Sequence, residues 1–241
     1  MLLSLAGAIG CGTVGRVYEY EEALYLSLDG SATLFVNGSV PALVALRGLD
    51  LDLNPRARLD RGKVRNAYES SVTHVTRVGS SRRSGRRFVH LRIEVDDVRR
   101  LGEVAPLSWS TYSFVEQDDA FVFRQRVGPP AGVRIGAVGW TGKELTAFRL
   151  HLPSRIFYHN APSGQVARGN ILEWEQPLSD RLAGEPVSIE VHLDTESILY
   201  RTLWLFGAMI LLVAALFALV IAWIIRKGRR APPPVATGGG S

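Results

Sequence analysis

Apolar and polar positions alternate with a period of two over much of residues 16–198. In the run from Phe88 to Val95, residues Val89, Leu91, Ile93 and Val95 fall on one face and polar or charged groups on the other. That is the pattern of a half-buried strand. Ser71 to Val78 alternates in the same way, and the polar run Ser80 to Arg86 between the two predicts a hairpin tip. Leu24 to Leu28 and Ala32 to Val36, joined through Asp29-Gly30, predict a second hairpin. With Leu28 opposite Ala32, residues Leu24, Leu26, Leu34 and Val36 share one apolar face across a three-residue loop. Further strands are expected at 110–116, 120–126, 145–151, 168–175 and 186–194, with Asp118-Asp119 as a turn. Helical signals are short: Pro41 just inside a start capped by Ser39, the stretch from Asp60 to Tyr68, and Asp96 to Leu101. Connections are short and no long crossover helix is in sight, so pairing should be antiparallel. The expected fold class is α+β: a β-rich, mainly antiparallel domain followed by one C-terminal transmembrane helix.

That last helix is the clearest pattern in the chain. From Thr202 to Ile225, 24 residues carry no formal charge. At 1.5 Å per residue they extend about 36 Å, enough for a hydrocarbon core of about 30 Å with some tilt. Only a helix satisfies its own backbone hydrogen bonds in lipid. Trp204 and Trp223, about 28 Å apart on such a helix, suit anchors at the two interfaces, with Arg226 and Lys227 beyond the second. Arg226, Lys227, Arg229 and Arg230 follow the span at once, whereas Arg201 stands alone before it near Asp194 and Glu196. The positive-inside rule therefore places the C-terminus in the cytoplasm and the main domain outside it. Gly207, Ala208, Ala214, Ala215 and Ala218 would permit close packing against another helix.

The chain divides into an apolar N-terminus at 1–15, an extracytoplasmic β-rich domain at 16–198, a transmembrane helix at 199–226, and a basic stub with a disordered tail at 227–241. Ala8-Ile9-Gly10-Cys11 resembles a bacterial lipobox, in which the Cys thiol takes a diacylglyceryl group. Ala8 stands where Leu is preferred, and the ten residues before Cys11 include no Lys or Arg. An upstream start codon would supply the missing basic region. Two readings stand: lipidation of Cys11, or an unmodified thiol at a short apolar N-terminus.

Charge sharpens the picture. Lys and Arg number 28 against 23 Asp and Glu, but residues 55–100 alone hold thirteen basic and five acidic groups. Arg77, Arg82, Arg83, Arg86, Arg87 and Arg92 lie on or around one expected hairpin. Guanidinium groups bond phosphates bidentately, so Arg82, Arg83, Arg86 and Arg87 are the expected contacts to anionic headgroups. The plainer reading is a solubilising loop, or arginines paired with the domain's acids. Aromatic interleaving is limited to Phe88, so the partners expected are membrane lipid and other integral membrane proteins, and not nucleic acid.

No catalytic, cofactor-binding or metal residue is assigned. A single Cys excludes an intramolecular disulfide. Ala137 to Glu144 approaches a phosphate-binding loop, but Glu144 follows Lys143 where a Ser or Thr hydroxyl must bind magnesium. Asp50-Leu-Asp52-Leu-Asn54 opens like a calcium loop, yet Pro55 and Arg61 occupy the positions of its Gly and bidentate Glu, leaving a strand end with solvated acids. His74, His90, His151, His159 and His192 form no H-E-x-x-H, although His74 and His90 could meet across adjacent strands.

Residues 17–49, 151–184 and the following SILYRTLWLFGAM resemble an uncharacterised family of bacterial single-pass membrane proteins, which brings no known activity. The lipobox, the β-rich domain with Gly169 to Trp174 near its end and the C-terminal helix are similar in architecture to LppM-type envelope lipoproteins, which implies a lipid-associated β domain. The function expected is a non-enzymatic, membrane-anchored binding or assembly module of the bacterial envelope. An accessory subunit of a larger membrane complex, or an envelope hydrolase with a dispersed site, are the alternatives.

Overall fold

The computed structural model describes residues 16–228, apart from the side chains of 199–201 and 228. Cys11, Arg229 and Arg230 therefore lie outside the described residues. The chain divides into two compact units, one ending at Ser197 and the other beginning at Ile198.

The first unit holds two sheets. In chain order its elements are β1 (Tyr18–Leu26), β2 (Ala32–Ser39), α1 (Val40–Arg47), α2 (Arg61–Tyr68), β3 (Thr73–Arg83), β4 (Arg86–Val95), β5 (Ser110–Gln117), β6 (Ala120–Val127), β7 (Leu145–His151), β8 (Ser154–His159), β9 (Ile171–Pro177), α3 (Leu178–Ala183) and β10 (Val187–Ser197). Strands run β3-β4-β2-β1-β7-β9 in the larger sheet and β5-β6-β10-β8 in the smaller. Pairing is antiparallel throughout, except that β1 lies parallel to β7. The parallel neighbour is possible because more than a hundred residues separate Tyr18 from Leu145, ample for a crossover.

Alternation explains the core. Val89, Leu91, Ile93 and Val95 of β4 are all buried, as are Leu24, Leu26, Leu34 and Val36 of the first hairpin. They pack in one cluster with Phe123, Val191 and Leu193 of the smaller sheet. The first hairpin's register differs from expectation: Leu26, not Leu28, opposes Ala32, and five residues form the loop. The shift is of two positions, so the same side chains stay on the buried face. The second hairpin is tighter than expected. Arg83 opposes Arg86, and the connection is only Ser84-Gly85, both with positive φ (51° and 74°). Such a two-residue turn matches strand twist, and Gly85 adopts it without steric cost. Asp118 and Asp119 (φ 51° and 60°) close β5–β6 in the same way.

The Ser39 cap was legible, and Asp60, where the second helical stretch was expected to begin, proves to be a cap as well. Ser39 Oγ accepts from Ala42 N–H at 3.2 Å, and Asp60 Oδ1 accepts from Lys63 N–H at 2.9 Å. Asp97 caps a 3₁₀ turn over Val98–Glu103 rather than an α-helix at 96–101. Strand β8 and helix α3 had no counterpart in the sequence reading, and the strand expected at 168–175 begins at Ile171. No strand forms at Asp50 to Asn54; Asp52 and Asn54 instead accept the N–H two residues on, at 2.8 and 3.0 Å.

The second unit is α4 (Ile198–Gly228), in which Thr202–Lys227 is long and apolar enough to cross a membrane. Trp204 and Trp223 are exposed, and Lys227 Nζ lies 5.0 Å from the Trp223 ring centroid.

Candidate functional site

The arginines of the β3–β4 hairpin separate into two kinds. Alternation sends Arg86 and Arg87 to opposite faces of β4, and loops cover both. Arg86 is 9% exposed and Arg87 is 5%. Arg86 Nη2 lies 2.8 Å from Glu19 Oε1, a carboxylate with no exposed surface, and Arg86 Nη1 donates to Gly139 C=O at 2.8 Å. Trp140 Nε1–H donates to the other Glu19 oxygen at 3.2 Å. Arg87 donates to the carbonyls of Ala57 (2.9 Å) and Asp52. The expectation of four exposed guanidinium groups on one tip is thus corrected: two of them lock the loops at 52–57 and 139–140 onto the hairpin.

Arg82 and Arg83 remain exposed. Arg83 donates to Tyr18 C=O at 2.6 Å and stands over the Phe88 ring at 4.4 Å. Arg82 donates to Arg56 C=O at 3.3 Å. Next to it, Arg58, Leu59, Asp60, Arg61 and Ser80 line an open concavity of about 480 Å³. A second groove of about 430 Å³ has Val40, Pro41, Leu53 and Val138 among its walls, together with Arg86 and Arg87. Among the described residues, no exposed arginine between 56 and 92 has a carboxylate within 4 Å. Arg16, Arg99, Arg100, Arg124 and Arg149 are each paired, whereas the unpaired Arg126, Arg134, Arg155 and Arg168 are scattered along the chain. Positive charge is therefore least compensated around the hairpin and α2.

This arginine-rich end has a definite place in the domain. Its turn lies beyond the pairing of Phe88 with Ser39. The chain leaves the domain at Ser197, which pairs with Ser154, three residues past His151, the partner of Tyr25 near the other end of β1. The Phe88–Glu94 stretch alone separates those ends by about 20 Å. Arg16, by contrast, lies at the arginine-rich end, because Tyr18 beside it accepts the Arg83 bond.

The other sequence candidates resolve locally. Glu144 folds back to accept from Thr141 N–H (2.8 Å) and Gly142 N–H (2.9 Å), closing a turn rather than cradling phosphate. His74 opposes Glu94 and His90 opposes Gly79, so the two histidines do not face each other. His90 Nδ1 lies 2.9 Å from Asn37 Oδ1 and His90 Nε2 lies 2.8 Å from Ser81 Oγ. Burial, with Arg83 and Arg77 nearby, lowers the His90 pKa. His151 stacks on Tyr25, with centroids 3.7 Å apart. Among the described residues, no three His, Cys, Asp or Glu side chains group as a metal site.

A buried polar centre had no sequence signal. Arg47, at the end of an apolar helix and just before Gly48, reads as a C-terminal charge turned to water. Instead it is fully enclosed, pairs with Glu22, bonds the Tyr20 hydroxyl and stands 3.2 Å from the Trp109 ring centroid. Burial lowers its pKa and raises that of Tyr68 to about 12. Arg181 of α3 is also fully buried, with its guanidinium carbon 5.4 Å from the same indole centroid.

The comparisons add little to this geometry. No protein-family model matches the chain, and no curated protein does. A solved structure, the folded domain of Mycobacterium tuberculosis LppM determined by NMR, aligns with a TM-score of 0.40 and 10% identity, over 78% of this chain and 95% of that one.

Proposed function

We propose that this chain is a membrane-anchored binding or assembly module of a bacterial envelope, without catalytic activity, whose arginine-rich end engages anionic headgroups. The observation that carries the reading is the set of exposed arginines from Arg56 to Arg83, which among the described residues have no carboxylate within 4 Å. Each guanidinium near an anionic surface contributes about 1 kcal/mol at low salt, and screening removes much of that within a Debye length of about 8–10 Å. In this reading α4 spans the bilayer, with Trp204 and Trp223 at its interfaces and Arg226 and Lys227 on the cytoplasmic side, so the β-rich domain is extracytoplasmic. A diacylglyceryl group on Cys11 reinforces the same contact. Arg16 lies five positions after Cys11, so the lipid is tethered within about 17 Å of the arginine-rich end.

Every core residue lies between Tyr20 and Leu193, so a fragment of residues 16–197 keeps the whole core. That fragment should sediment with anionic vesicles and not with zwitterionic ones, and binding should weaken steeply between low and physiological salt. Arg58→Ser, Arg61→Ser, Arg82→Ser and Arg83→Ser together should abolish sedimentation. Equal sedimentation with both vesicle types, or none with either, would reject the reading. Orientation has its own test: protease added to spheroplasts should digest the domain and spare a C-terminal tag. Protection of the domain would reverse the topology.

A further inference from the structure

Between the two sheets, cations and donors outnumber acceptors. Arg47 and Arg181 are both fully enclosed and both stand over the Trp109 ring. One buried carboxylate serves them, and it is already engaged. Glu22 Oε1 takes Arg47 and the Tyr20 hydroxyl (2.5 Å), while Glu22 Oε2 accepts from Gln125 Nε2 at 3.5 Å. Among the described residues Arg181 has a single bond, from Nη2 to Gly128 C=O at 2.8 Å, and no carboxylate within 4 Å. Glu185, whose field does reach Arg181, is exposed at the surface.

The unpaired atoms here have one chemistry. Arg47 Nη1, Tyr68 Oη, Trp109 Nε1, Tyr112 Oη, Arg181 Nε and Arg181 Nη1 are all buried and have no hydrogen-bond partner among the described residues. All six can donate, and the four nitrogens can do nothing else. A buried cation without a counter-charge is among the costliest arrangements in a protein interior. A cluster of unpaired N–H and O–H groups around two guanidiniums is an acceptor site. Space is short: a cavity of only about 10 Å³, lined by Glu22, Tyr112, Gln125, Arg149 and apolar side chains, adjoins the centre on the Glu22 side, and neither Arg47, Trp109 nor Arg181 reaches its wall. That excludes a phosphate or a carboxylate on a carbon chain.

We infer that the interior around Arg47, Trp109 and Arg181 binds a small monovalent anion of the halide class, which balances Arg181 and accepts from the unpaired donors. The site is separate from the arginine-rich end and does not depend on its function. The anion is a structural ligand: it ties α1, α3 and the segment before β5 together, because those elements carry Arg47, Arg181 and Trp109.

The test uses the purified full-length chain in detergent, dialysed into sodium gluconate, with chloride or bromide replacing gluconate at constant ionic strength. Anything bound by the folded state alone raises the melting temperature as its concentration passes its dissociation constant. At tenfold saturation the rise should be roughly 3–6 °C for a domain of this size. It should level off with concentration, and fluoride, which holds its water more tightly, should give a smaller rise than chloride. Arg181→Met keeps the buried stem and removes the charge, so its melting temperature should no longer respond to halide. If Arg181→Met does not fold, bromide soaked into crystals of the wild-type chain decides the matter, by an anomalous peak within about 3.5 Å of Arg181 Nε or Nη1. Coincident melting curves in chloride and gluconate, an unsaturating rise common to every salt, a halide response retained by Arg181→Met, or a non-anomalous solvent peak at the centre would each overturn the inference.

Discussion

Truncation of Arg86 is the sharpest check on how the hairpin is built. Arg86→Ala would leave Glu19, which has no exposed surface, without its ion-pair partner. The Trp140 indole N–H at 3.2 Å would remain as a weak substitute, while Gly139 C=O would lose its donor. Removing one member of a buried pair costs about 3–5 kcal/mol, because the survivor is left charged and desolvated. At about 2–4 °C per kcal/mol for a domain of this size, the melting temperature should fall by roughly 6–20 °C. The assay is thermal unfolding of the full-length chain, followed by intrinsic fluorescence. Glu19→Gln with Arg86→Met should recover most of the loss, since the pair is then replaced by groups that can be buried neutral. Arg82→Ser should stay within about 0.5 kcal/mol of wild type, as an exposed side chain with one long bond. A fall of less than 2 °C for Arg86→Ala, or no recovery in the double variant, would refute the division of the hairpin arginines into structural and free.

Three further outcomes follow from the same geometry. Tyr68, held neutral by burial up to about pH 12, ionises more readily in the unfolded chain near pH 10; stability should be intact below pH 10 and fall as pH rises from there towards 12, which melts at stepped alkaline pH would show. Burial and then Arg83 lower the His90 pKa, so stability should decline as pH falls below the ordinary histidine value, and Arg83→Ser should raise the pKa seen by NMR. Ser39→Ala removes the α1 cap and should cost about 1 kcal/mol in denaturant unfolding.

What could be read from the sequence was whatever neighbouring residues decide. Alternation located β4 and the first hairpin, and Ser39 and Asp60 marked helix starts, because caps and pleats are local. Asp118-Asp119 marked a turn for the same reason. Strand β8 escaped because Ser154–His159 is a short edge strand with Phe157 and Tyr158 exposed, so neither face shows an apolar series. The fates of Arg86 and Arg87 were illegible because Glu19, Gly139, Asp52 and Ala57 decide them, and folding alone brings those residues near. The burial of Arg47 was illegible for a related reason. A basic residue before a helix-ending glycine suits solvent, and only the arrival of Glu22, Tyr20 and Trp109 makes an interior position tolerable.

The order of strands in the smaller sheet bears on how such a protein is made. Strand β10 is an interior strand, between β6 and β8, and is also the last before α4. Emerging N-terminus first, β6 is finished at Val127, yet its partner does not start until Val187. At about 5–20 residues per second, the open edge of β6 waits roughly 3–12 s for its neighbour. An unpaired edge of that kind invites pairing with another chain. Completion of the sheet therefore coincides with the emergence of the long apolar helix that follows β10 directly.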